Sequence, residues 1–252
     1  MATLTAEMRR KIEPLLCELH AHSRWSDGAL TLSELVGVYG RNGFDVLCVT
    51  DHVNRSDDPW LAPGAPRSGI THGSHAHYLA QIDAQAERAR REFDLLVLPG
   101  LELTYNDLDP CHAAHAVAVG CRRFVGVDDG IEPALESARA EGAALIAAHP
   151  FRIGGGAVPS RVTMRFAREW RRLRPLVDRW ELFNRSDVFS WVAEAGLPAV
   201  ASGDFHHEEH LGGWKTLLPC AKSETAVVDY LRSLRPAFLT RIDTLADTAE
   251  AA

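Results

Sequence analysis

Leu15-Leu16-Cys17-Glu18-Leu19-His20-Ala21-His22 is a short apolar run of strand length that ends in two histidines one residue apart. Side chains alternate across a strand, so positions i and i+2 face the same way and His20 and His22 can reach one ion. Two other apolar runs end in the same chemistry, at Asp51-His52 and at Asp204-Phe205-His206. Imidazole with carboxylate is a ligand set for zinc, iron and manganese. A single His-X-His pair is a weak signal. Three strand ends that carry the same groups point to a polynuclear metal site at one rim of a barrel, and so to a hydrolase.

The pattern around these runs is one of alternation. Strands are expected at 15–19, 46–49, 95–98, 116–119, 144–147, 178–182, 199–202 and 237–240, and helices at 32–41, 77–91, 132–141, 160–173, 188–195 and 224–234. Short strands that alternate with helices imply βα units and a mainly parallel sheet. Thr31 or Ser33 is placed to cap the first helix, and Gly43 follows its end. Between Leu103 and His115 there is too little chain for a helix, so a hairpin-like excursion is expected there. No internal repeat or low-complexity linker interrupts the pattern. One domain over 1–252 is expected, with a core of about 15–240 and a flexible tail at 241–252. Two loops stand out: 54–74, rich in Pro, Gly, Ser and Asp, and 152–159, with Gly154-Gly155-Gly156. Each follows a strand-end histidine, His52 or His149, and is read as a lid.

Composition is that of an ordinary globular chain, 46% apolar and 24% charged. No apolar run approaches the ~20 residues of a membrane span. Met1 to Arg10 lacks the apolar stretch of a signal peptide, so a cytoplasmic protein with no membrane partner is expected. The net charge of −7 argues against a surface that coats long nucleic acid, but bound cations would reverse the local field for a small anionic substrate. Cys17, Cys48, Cys111, Cys121 and Cys220 are widely spaced with no CxxC pair, so reduced thiols are expected. Oligomeric state is not legible.

In a parallel barrel the C-terminal strand ends share one face, where active sites sit. The strand-end groups here are His20, His22, Asp27, Asp51, His52, Glu102, His115, His149, Asn184, Asp204 and His206. They are too many for one tetrahedral zinc and suit two or three ions, with Glu102 as a bridge. Trp25-Ser26-Asp27-Gly28 is a turn that returns Asp27 towards the site.

The order Leu19-His20-Ala21-His22-Ser23 with Ser26-Asp27-Gly28, then Val49-Thr50-Asp51-His52, Gly100-Leu101-Glu102, His115, Ala148-His149-Pro150 and Gly203-Asp204-Phe205-His206 resembles the PHP (polymerase and histidinol phosphatase) family. The resemblance runs from about Cys17 to Thr240. It implies a distorted (β/α)7 barrel, an active site at the C-terminal strand ends, and two or three divalent ions, zinc, manganese or iron. It also implies one ion held by His20, His22, Glu102 and Asp204, a second by Glu102, His115 and His149, and a third by Asp27, His52 and His206. His22-Ser23 stands where many members have His-Thr.

The implied chemistry is hydrolysis of a small phosphomonoester, nucleotide or short oligonucleotide by a metal-activated hydroxide. Glu102 and His206 would act at the centre, with Asp51 orienting its neighbour His52. Phosphate favours arginine, and Arg152 and Arg55 each lie three residues beyond a candidate ligand. With Asn184 and Lys215 they are the candidate substrate contacts. His72, His75 and His77 read as solvated, His112 competes with His115, His207 and His210 read as exposed, and Trp60 is a weak candidate for stacking on a base. An amidohydrolase-like C–N hydrolase or deaminase is the alternative. Its common binuclear form needs a carboxylated lysine on a middle strand, and Lys11, Lys215 and Lys222 are the only lysines. A non-catalytic PHP module acting with a partner is a third possibility.

Overall fold

The first helix shows how local chemistry sets the elements. In the computed structural model, which describes residues 13–59, 69–150, 163–233 and 235–243, α1 spans Leu32–Arg41. Thr31 caps it: its hydroxyl accepts from Glu34 N at 3.3 Å, and the Glu34 carboxylate accepts from Thr31 N at 2.8 Å. This reciprocal box satisfies two end donors that the helix itself cannot. Leu32, Leu35, Val36 and Tyr39 form the buried face, and the chain leaves through Gly43 at φ +71.

The strands are β1 (Leu15–Glu18), β2 (Val46–Val49), β3 (His52–Asn54), β4 (Leu96–Tyr105), β5 (Ala114–Val119), β6 (Ala144–Ala148), β7 (Arg179–Asn184), β8 (Asp187–Val188), β9 (Ala199–Ser202), β10 (Gly213–Leu218) and β11 (Phe238–Ile242). The remaining helices are α2 (His75–Phe93), α3 (Ile131–Ala140), α4 (Arg165–Leu173), α5 (Ser190–Glu194) and α6 (Glu224–Arg232). The sheet runs β11-β10-β1-β2-β4-β5-β6-β7-β8, with β3 also on β4 and β9 also on β7. The chain beyond β1 and the chain beyond β9 meet through a parallel bridge between Ala21 and Phe205, where His22 N donates to Phe205 O at 2.8 Å. The sheet is therefore curled into a distorted barrel in which the ends of β1 and β9 lie side by side.

The sheet is mixed rather than mainly parallel. β1–β2, β2–β4, β6–β7 and β7–β9 are parallel, whereas β4–β5, β5–β6 and both neighbours of β10 are antiparallel. The cause is the expected excursion after Leu103: with no crossover helix, β5 must return antiparallel to β4. β4 changes partner at Pro99-Gly100. Leu96–Pro99 pairs with β2, and Glu102–Thr104 pairs with β3. A Cβ at Gly100 would meet Cys48 Sγ at 2.8 Å and Ala118 O at 2.9 Å, so only glycine allows this packing.

Two apolar layers follow from strand alternation. Inside the barrel, Cys17, Leu19, Val46, Cys48, Leu98, Val117 and Ile146 pack on Val227, Val228 and Leu231 of α6. Outside it, α1 to α5 cover the sheet with a second buried layer that includes Tyr39, Tyr78, Leu135, Phe166 and Val192. α6 thus closes the barrel at the end of β5, which is opposite the histidines. Among the described residues no helix is long and apolar enough to cross a membrane.

Candidate metal centre

Glu102 sits at the middle of the rim, fully buried on β4. Its Oε2 lies 3.4 Å from His20 Nε2 and 3.4 Å from His22 Nε2. Its Oε1 lies 3.1 Å from His115 Nδ1 and 3.1 Å from His149 Nε2. His52 Nδ1 approaches Oε2 at 2.7 Å but is directed at the Thr104 hydroxyl, also at 2.7 Å. His115 begins its strand rather than ending it. Because β5 is antiparallel, its N-terminal end meets the C-terminal ends of its neighbours.

The opposite wall is β9. Asp204 Oδ1 lies 3.3 Å from His22 Nε2 and 3.6 Å from His20 Nε2. The backbone there is strained: Asp204 has φ +42 and His149 has φ +24, both in the left-handed region that costs energy for side chains with a Cβ. Asp27 returns as expected. Its Oδ1 is 3.2 Å from His206 Nε2, 3.4 Å from His52 Nε2 and 3.8 Å from His22 Nδ1. The turn that brings it back depends on Gly28, whose absent Cβ would collide with the His22 carbonyl. Three overlapping sets result, within each of which the ligand atoms all lie within 4.8 Å: His22, Asp27, His52 and His206; His20, Glu102 and His149; His20, His22 and Asp204.

The electrostatics fit cations. Burial pushes the Glu102 carboxyl up, yet His52 and His20 beside it and bonds from His115 and His149 hold it well below its usual range. Asp204 behaves likewise under His20 and His22. Burial disfavours charge on His20, but Asp204 and Glu102 outweigh it and raise its pKa well above the usual. Burial and the neighbouring His52 instead push His22 down to about 3, so its ring stays neutral. His20 Nε2, His22 Nε2 and Glu102 Oε2 are buried with no hydrogen-bond partner. Orphaned polar atoms of this kind cost free energy unless something binds them. They are all metal-ligand atoms converging on one space.

The remaining groups expected at the site have other places. Asp51 does not orient His52. Its carboxylate accepts from Ser23 N at 2.8 Å, Ser23 Oγ at 2.8 Å and Ser26 Oγ at 2.6 Å, and so holds the turn that carries Asp27. The reason is direction: β2 ends at Val49, and the Asp51 side chain turns under the β1 loop. Asn184 is buried, and its amide donates to Glu181 Oε2 at 2.7 Å. Lys215 does not face substrate. It is fully buried with Nζ 2.7 Å from Glu18 Oε2, because alternation on β10 turns it to the face opposite Leu218, under α1. Arg55 pairs with Asp57 at 2.6 Å and donates to Asn106 O at 3.0 Å. Asn106 in turn lies 2.9 Å from His115 Nε2. Arg152, the 152–159 loop and Trp60 lie outside the described residues.

Two residues join the site unannounced by the motifs. Glu181 on β7 places Oε1 3.0 Å from His20 Nδ1 and accepts from Ser202 Oγ. Its only signal was a carboxylate inside an apolar strand. Arg185, at φ +51, places Nη2 2.9 Å from Asp204 Oδ2 and 2.7 Å from His206 Nδ1. Nothing in the sequence marked it among many surface arginines.

No established family model matches the chain. It is 27% identical over 239 residues to the DNA polymerase/3'-5' exonuclease PolX of Bacillus subtilis, covering 90% of this chain but only 41% of that protein. In structure it is similar to a two-domain protein of Bacteroides vulgatus that contains a predicted PHP-like metal-dependent phosphoesterase. The TM-score is 0.63 at 17% identity, over 90% of this chain and 64% of the other. The chain therefore spans less than two thirds of the length of either relative. In fold it is similar to that PHP-like protein.

Proposed function

We propose that the chain is a metal-dependent phosphoesterase that hydrolyses a small phosphomonoester, a nucleotide or a short oligonucleotide at a site of two or three divalent ions. The observation that carries this reading is the buried set of orphaned ligand atoms on His20, His22 and Glu102. His20, His22, Glu102 and Asp204 would hold one ion, Glu102, His115 and His149 a second, and Asp27, His52 and His206 a third. Zinc, manganese or iron suits this mixture of imidazole and carboxylate. Bound there, such ions supply a water of lowered pKa and neutralise the oxygens of a phosphate ester.

The protein's own groups prepare the ligands. Glu181 accepts a proton-bearing Nδ1 from His20, which leaves Nε2 as a lone pair towards the centre. Asn106 Oδ1 does the same for His115 through Nε2, which leaves Nδ1 towards Glu102. Arg185, about one third exposed beside Asp204, presents a guanidinium at the rim where a phosphate would enter. Arg152 remains a candidate phosphate contact. The test is turnover of phosphomonoesters, nucleotides and short oligonucleotides by protein loaded with Zn²⁺, Mn²⁺ or Fe²⁺, before and after chelation. Chelator-sensitive hydrolysis is expected. Rates at the no-enzyme level on every compound with every metal would remove the reading.

A further inference from the structure

Beneath the centre lies a charge pair that no ligand role explains. Glu18 and Lys215 are both fully buried, with Nζ 2.7 Å from Oε2. Tyr39 OH donates to the same oxygen at 3.0 Å, and Lys215 also donates to His210 O at 3.3 Å. The other oxygen, Oε1, accepts three backbone N–H groups: Leu19 at 3.1 Å, His20 at 3.3 Å and Gly203 at 2.8 Å. Two of these donors lie at the end of β1 and one at the end of β9. One carboxylate oxygen therefore spans the two strands just below His20 and Asp204. Gly203 is bare for this reason, since a Cβ there would collide with Lys215 Nζ and Glu18 Oε2. The next residue of β10 fastens β9 as well: Thr216 Oγ1 accepts from Ala201 N at 2.9 Å and donates to Ala201 O at 2.7 Å.

A buried ion pair is a poor source of stability, because desolvation of both charges offsets their attraction and apolar replacements often fold as well. The pair here makes sense as geometry. The roughly four lone-pair sites of the carboxylate are all engaged by these five donors, Leu19 N and His20 N sharing one oxygen with Gly203 N, and its charge is matched by Lys215. We propose that Glu18, clamped by Lys215 and Tyr39, is a positioning residue that sets the separation of His20 and Asp204 and so the affinity of the ion between them. The inference rests on the metallohydrolase reading of the adjoining cluster.

Two double variants separate clamp from charge, with Mn²⁺ affinity of the full chain measured by calorimetry. Glu18→Gln with Lys215→Met removes both charges but keeps an amide oxygen for the three N–H groups. It should bind Mn²⁺ within about threefold of the unaltered chain. Glu18→Leu with Lys215→Met fills the space and removes the acceptor. It should bind about 10–100-fold more weakly, the usual effect of losing a group that orients ligands, while its metal-free melting temperature stays within about 4 °C of the other variant. Gly203→Ala, which wedges the clamp and leaves every ligand in place, should weaken binding in the same direction and decides the matter if the leucine variant does not fold. Mn²⁺ binding by Glu18→Leu/Lys215→Met or by Gly203→Ala as tight as that of the unaltered chain overturns the proposal. Equal weakening in both double variants also overturns it, since charge rather than the brace would then matter. An unaltered chain that binds neither Mn²⁺ nor Zn²⁺ removes the metallohydrolase reading itself.

Discussion

Glu102 faces His20, His22 and His52 with one oxygen and His115 and His149 with the other. Among the described residues no other carboxylate lies within 4 Å of imidazole nitrogens in both groups, so its charge is the one most needed. Glu102→Gln keeps the shape and halves the acceptor capacity; metal content after dialysis, read by elemental analysis, should fall together with phosphoesterase rate. Retention of both at unaltered levels would refute the bridging assignment. Glu181→Gln acts one step further out, through His20, and should weaken metal binding about 10–100-fold. Rescue by Glu181→Asp but not by Glu181→Leu would mark it as a carboxylate that orients a ring. Asp51 tests a different property. Asp51→Ala strands Ser23 N and two hydroxyls and should cost about 1–3 kcal/mol in urea denaturation.

Elements were legible where propensity and period agreed. α1 is found at its expected bounds because its capping box and its apolar face speak together, and Thr31→Ala should lower stability by about 1 kcal/mol, seen as a shifted urea midpoint. β2 and β9 also match, as continuous apolar runs. β10 was missed because Lys215 and Thr216 interrupt its apolar character, and these prove to be the buried polar contacts of the clamp. β3 was missed because three residues, His52-Val53-Asn54, carry no period. The helix expected at 160–173 is seen as Arg165–Leu173, with 160–162 outside the described residues. The strand expected at 95–98 runs on to Tyr105, the two-residue β8 was not expected, and boundaries elsewhere moved by a few residues, since tertiary pairing rather than local preference ends a strand.

At the scale of the whole molecule the cluster couples folding to protons and, on the metallohydrolase reading, to metal. Without metal, His20, His52 and His149 have raised pKa values, because Glu102 and the neighbouring aspartates outweigh the burial that opposes their charge. Stability from these groups is fully present below the unfolded histidine value of about 6.5 and is lost as pH rises through the raised folded values. Glu102 and Asp204 are lowered, so their share is present above about pH 4 and is lost on acidification through the folded values. Metal binding needs the same histidines deprotonated, so it strengthens with pH. The melting temperature of chelated protein should therefore fall as pH rises above about 6.5, while that of loaded protein holds or rises. Parallel curves would contradict a shared proton and metal site. At a hundredfold excess of ion over its Kd, loading should add about 2.7 kcal/mol to stability.

The linear chain by itself determined the class of fold and which histidines and carboxylates gather at one rim of the sheet. Each candidate ligand sits beside an apolar run or in a glycine turn, and strand alternation is a local rule. What only the tertiary structure decided is how those groups divide and what holds them. That β5 runs backwards, so that His115 enters at the start of its strand, follows from pairing across the hairpin. Asp51 bracing Ser23 and Ser26, Glu181 aiming His20, Arg185 meeting Asp204, and Lys215 pairing with Glu18 join residues up to 197 positions apart. No periodicity records such contacts, because they arise only when the curled sheet brings β1, β7, β9 and β10 against one another.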